Sequence, residues 1–171
     1  GTSGGVTPVH LLDYLATNSL GGNFLKDGAP SRLFARYKDK RNFRYSQYRG
    51  WGVSLYHKVG SEGARAKVRE LFDWLKARGD EFWIAPFTDV AKYAQERESA
   101  TLTVTEARPD RITFGLTDRM KDEIFDEPLT VKIRVGPEWK DARAKQGNTE
   151  VEARVVSHEG AKYALVDAVP D

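Results

Sequence analysis

The stretch 51-WGVSLYHKVGSEGARAKVRELFDWLKARGDEFWIAPFTDVAKYAQER-97 decides how the first half of the chain is read. Trp51, Val53, Leu55 and His57 alternate with Ser54 and Tyr56, so a strand over 51–57 would turn the first four onto one face. The loop 58-KVGSEG-63 follows. Val68, Leu71, Phe72 and Leu75 are then spaced i, i+3, i+4, i+7, the apolar stripe of a helix, and Gly79 suits its C-terminal end. Glu81 to Ala85 predicts a short apolar strand, which Pro86 ends. Thr88 and Asp89 can cap a second helix reaching about Arg97, with Val90 and Tyr93 on its inner side. Strand, helix, strand, helix with short connections predicts a parallel sheet covered by helices. In such sheets functional groups collect beyond the carboxyl ends of the strands, and His57 would sit at one.

Upstream of this stretch, Thr7 and Pro8 predict a short helix to about Ala16. Residues 18–32, rich in Gly, Asn, Ser and Pro, read as loop, and 31–48 keep no clean period. Downstream of Ser99 the pattern changes to period two. The segments 101-TLTVTEA-107, 111-RITFGL-116, 129-LTVKIRV-135, 150-EVEARVVS-157 and 162-KYALVDAV-169 alternate, separated by turn residues such as 146-QGN-148 and 159-EG-160. The expected fold class is therefore α/β followed by all-β, with an α/β portion over 1–98 and an antiparallel, sandwich-like β domain over 99–171.

The chain has 171 residues, long enough to bury a core without disulfides or a structural metal. It contains no cysteine, which excludes a disulfide framework, a thiolate zinc site and a cysteine nucleophile. Its net charge is +2. The run 36-RYKDKRNFRYSQYR-49 gathers six Arg or Lys with four aromatics, a composition that suits nucleic acid or, equally, a solvated face. The rest of the chain is charge-balanced and shows no nucleic-acid-binding motif, so no nucleic-acid partner is expected. No apolar run approaches the ~20 residues of a membrane span, and no signal peptide is apparent, so no membrane partner is expected either.

The strand 51-WGVSLYHKVG-60 together with 71-LFDWLKARGDEFWIAPFTDVAKYAQERESATLTV-104 resembles the C-terminal half of polysaccharide deacetylases, which are carbohydrate esterases. The segments 128-PLTVKIRVGPEW-139 and 161-AKYALVDAVPD-171 resemble a β-sandwich appended to some of them. The resemblance implies that the α/β portion is a partial parallel β/α barrel-like layer. It also implies that His57 is catalytic, as the general acid that protonates the leaving group when an acetyl group is hydrolysed. An imidazole suits that role because it exchanges protons near neutrality.

The family's divalent metal, zinc or similar, needs an aspartate-rich motif and an HxxxH-type pair. The only histidines here are His10, His57 and His158, and none of them are paired at ligand spacing. The expectation is thus no metal site and no cofactor in this chain, which would be an inactive part of a deacetylase completed by a missing N-terminal segment or a second chain. The resemblance implies a polysaccharide or acetylated oligosaccharide as partner and a secreted or periplasmic location. A non-catalytic carbohydrate-binding or structural β module is the alternative. No substrate-binding residue is assigned. Trp51, Trp74 and Trp83 read as core, Trp139 as the tryptophan to inspect for exposure, and 121-KDEIFDE-127 as a solvated connection. His10 and Asp13 read as a local pair on the first helix, and His158 as an exposed turn residue beside Glu159.

Overall fold

The computed structural model describes residues 17, 19–20, 24–32, 34–40 and 48–171. The helix expected from Pro8 to Ala16 lies outside them. The chain divides into two compact units, Gly1–Ala85 and Pro86–Asp171.

In the first unit the hairpin β1 (Leu25–Lys26) and β2 (Ala29–Pro30) turns at Asp27 and Gly28, both with positive φ. Asp-Gly is the pair that a type I′ turn favours, because both central residues must be left-handed. Helix α1 (Glu62–Lys76) begins where the Ser61 hydroxyl accepts from the Ala64 N–H at 3.2 Å. Glu62 in its first turn and Lys76 in its last complement the helix dipole. Leu71 and Leu75 are buried and join Leu20, Phe24, Leu25 and Phe34 in the core, with Tyr37, Tyr56, Trp74 and Phe82 packed against it. Phe72, expected on the same stripe, is 43% exposed. The helix ends at Ala77 in right-handed geometry, two residues before Gly79.

The expected parallel layer does not form, and the described residues make no barrel. Every ladder among the described strands is antiparallel, in sheets of two or three strands accompanied by two helices. Two local events explain this. The segment 51–57 makes one parallel bridge, Ser19 to Val53, with the Leu20 N–H donating to the Val53 carbonyl at 2.8 Å, and the pairing goes no further. Its alternation also inverts: Leu55 is 49% exposed while Tyr56 packs on the core. The segment 81–85 begins as a helix-ending turn, in which the Glu81 and Phe82 N–H groups both donate to the Arg78 carbonyl at 2.9 and 3.0 Å. Trp83 and Ile84, read as a buried strand, are left exposed.

The second unit opens with helix α2 (Phe87–Ser99), whose N-cap is Pro86 rather than Thr88 or Asp89. Its buried residues are Ala94 and Glu96. Strands β3 (Thr101–Ala107) and β4 (Ile112–Thr117) form a hairpin with a bulge between Val104 and Glu106. Strands β5 (Leu129–Val135), β8 (Ala153–His158) and β9 (Ala161–Ala168) form a sheet in the order β5–β9–β8. Glu159 and Gly160, with φ 51° and 78°, make the tight turn between β8 and β9. Strands β6 (Ala144–Gln146) and β7 (Thr149–Val151) form a further hairpin. The Gln146 amide donates to the Val169 carbonyl and accepts from its N–H, fastening β6 to the end of β9.

The register assigns the two faces of the three-stranded sheet. Leu129, Val131, Ala164, Val166 and Ala168 share one face and are buried. Period-two alternation then puts Thr130, Lys132, Arg134, Tyr163, Leu165, Asp167 and Arg154 on the other.

Candidate functional site

The residues singled out from the sequence are not brought together. His57 lies in an exposed bend after the Val53 bridge, not at the end of a parallel strand. His10 and Asp13 lie outside the described residues. His158 ends β8, exposed, with Nε2 3.6 Å from the Glu159 carboxylate. Among the described residues no three His, Asp or Glu side chains gather into a group that could hold a metal ion. The ion that the deacetylase resemblance implies therefore finds no fitting donor set among them. Trp74 packs on the first unit's core, whereas Trp83 is 55% exposed. Trp139 is half-buried, its indole N–H donating to the Pro109 carbonyl at 2.6 Å. Of the basic run 36–49, Lys38 pairs with Glu81 at 2.8 Å, and Lys40 and Arg49 lie over the Tyr48 ring. Residues 41–47 of that run lie outside the described residues.

A buried carboxylate on α2 was not anticipated. Glu96 is fully enclosed, and both its oxygens lie 3.2 Å from the Glu127 N–H just before β5. Burial pushes its pKa up, the Glu127 N–H opposes that, and the charges of Asp118, Glu127 and Asp126 add to the rise. Glu127 is raised as well, first by burial and then by Asp89 and Asp126. Lys92 neutralises Asp126 at 2.9 Å. Two of the four carboxylates of 121–127 thus belong to an anchored junction rather than a freely solvated connection. Glu96 itself is fully enclosed with the Glu127 N–H as its donor, so its role is structural.

The outer face of the β5–β9–β8 sheet is different in kind. Register places Arg134 opposite Tyr163 and Lys132 opposite Leu165, with Arg154 on the far side of Leu165. The Lys132 ammonium sits 4.0 Å from the centroid of the Tyr163 ring, close enough for a cation–π interaction. The Thr130 hydroxyl donates to Asp167 at 2.5 Å. Arg154 has carboxylate neighbours, Glu152 at 2.9 Å and Asp167 at 3.7 Å. Lys132 and Arg134 have no carboxylate within ion-pair distance among the described residues. The face therefore carries unneutralised positive charge along β5, an aromatic ring on its central strand beside Arg134 and hydrogen-bonding groups at the opposite end. The side chains Lys132, Arg134 and Arg154 are exposed, on a rigid ladder. Alternation in 129–135 already sorts Lys132 and Arg134 from Val131 and Ile133. The pairing that sets Tyr163 and Arg154 beside them is not written in any one segment.

No family model matches the chain, and no solved structure matches it. Among curated proteins, a gellan lyase from a Bacillus species is 38% identical over an alignment of 136 positions that covers 74% of the chain. The match covers 6% of that protein, so the chain spans a small fraction of the length of its curated relative. This finding overturns the resemblance to polysaccharide deacetylases and, with it, the expected removal of acetyl groups and the carbohydrate-esterase assignment. By its name, that relative is a lyase of the polysaccharide gellan. No helix among the described residues is long and apolar enough to cross a membrane.

Proposed function

We propose that the chain is a segment of a polysaccharide-lyase-type protein and that its described residues contact the polysaccharide on which that protein acts. The observation that carries this reading is the 38% identity to a gellan lyase across 74% of the chain. Support for contact comes from the outer face of the β5–β9–β8 sheet, an exposed surface that can lie along a polymer. Contact outside the cell, where a high-molecular-weight polysaccharide is met, is part of the same proposal.

Electrophoresis of the purified chain through native gels cast with gellan or other polysaccharides tests this. The expected result is retardation in gellan relative to a gel without polymer. Migration unaffected by every polysaccharide tried, or release of acetate from acetylated oligosaccharides, would overturn the reading.

A further inference from the structure

We infer that the outer face of the β5–β9–β8 sheet is a binding site for a carboxylate-bearing polysaccharide, a site that rests on the polysaccharide reading above and specifies its ligand. Three observations converge. Lys132 and Arg134 are exposed and, among the described residues, have no carboxylate partner, so their charge is available to an anionic ligand. They are two positions apart on one strand, about 7 Å along the chain, which suits successive contacts with an extended polymer rather than one small ion. Arg154 lies across β9, roughly 10 Å from β5, giving the face breadth.

Tyr163 supplies the second element. It lies on the central strand opposite Arg134, with Lys132 held over its ring at 4.0 Å. The contact restrains a flexible side chain before any ligand arrives, which lowers the ordering cost of binding. Arg134, opposite Tyr163 in register, offers a planar fork of donors that matches a carboxylate in bidentate fashion. Asp167, occupied by Thr130 and near Arg154, marks the acidic end of the face and sets a polarity for the bound chain. A neutral glycan would leave Lys132 and Arg134 without a counter-charge, so the face discriminates in favour of acidic polymers.

The test measures affinity by gel retardation with two probes, polygalacturonate and the same polymer fully methyl-esterified, at low and physiological salt. The parent chain should be retarded by the acid and much less by the ester, and salt should weaken the interaction because exposed charges are screened. The double variant Lys132→Ala, Arg134→Ala should bind polygalacturonate roughly two- to tenfold more weakly, the range for two exposed charge contacts. The charge-matched variant Arg143→Ala, Lys145→Ala, in and beside the β6–β7 hairpin, should bind as the parent does. Matching thermal unfolding of both variants controls for folding. If the first variant binds as tightly as the parent, or both variants lose affinity alike, the face is not the site and the inference fails while the polysaccharide reading stands. Equal retardation by the ester overturns the acidic class in the same way. No retardation by either probe or by gellan overturns the reading beneath it.

Discussion

Replacing Glu96 with Gln should make the second unit more stable near neutral pH and flatten its dependence on pH. The amide keeps one oxygen to accept from the Glu127 N–H, so one of the two contacts at 3.2 Å is retained. What it removes is a carboxylate that is fully enclosed and faces Asp118, Asp126 and Glu127, with Lys92 committed to Asp126. Because burial raises the folded pKa of Glu96 above its unfolded value, the folded state holds more protons in the interval between the two. The stabilisation tied to this group is therefore fully present below the ordinary glutamate range and is lost as pH rises through the folded pKa. One proton's difference gives a slope of at most about 1.4 kcal/mol per pH unit. Gln should abolish that share and leave the contribution of Glu127. Urea unfolding from pH 4.5 to 7.5, followed through the amide signals of Val131 and Val166, reads the second unit alone. If the parent's stability instead rises with pH across this window, or the Gln variant is less stable than the parent at pH 7, Glu96 is a favourable anion and the reasoning fails.

Three further outcomes follow from the first unit. The Tyr56 hydroxyl is buried with no hydrogen-bond partner among the described residues, so Tyr56→Phe should raise stability by about 1 kcal/mol in chemical denaturation; a loss of similar size would mean that the hydroxyl is satisfied. Leu71 is 2% exposed at the centre of the core, and Leu71→Ala should cost about 3 kcal/mol, monitored by tryptophan fluorescence; a cost below 1 kcal/mol would place it outside the core. His57→Ala should change stability by less than about 0.5 kcal/mol, because the residue is exposed in a bend; a larger loss by thermal unfolding would give it a structural partner.

The legible parts of this fold were those in which a single period ran long enough to be unambiguous. Helix α1 showed itself through Leu71 and Leu75, β5 through strict alternation, and β3 and β9 through a looser one. The 51–57 segment was misread because a short apolar alternation fits a buried parallel strand and an isolated bridge equally well; only the neighbours decide. Trp83 and Ile84 looked like strand core, yet the N–H groups of Glu81 and Phe82 are already spent on the Arg78 carbonyl. Glu96 gave no signal because a glutamate in an amphipathic helix is ordinarily a surface residue. The sheet face was half legible: Lys132 and Arg134 stand out by alternation alone. Tyr163 and Arg154 come beside them only through the β5–β9–β8 register, which joins segments about 30 and 20 residues away.

The most direct test of the account is to map where a polysaccharide touches the chain. Amide and side-chain NMR signals should be followed while polygalacturonate oligosaccharides are added to the whole chain. The account predicts that shifts concentrate on Lys132, Arg134, Arg154 and Tyr163, with the buried face at Val131 and Val166 changing less and the region of His57 not at all. Shifts centred on His57 or on the basic run 36–49, with the sheet face silent, would contradict it.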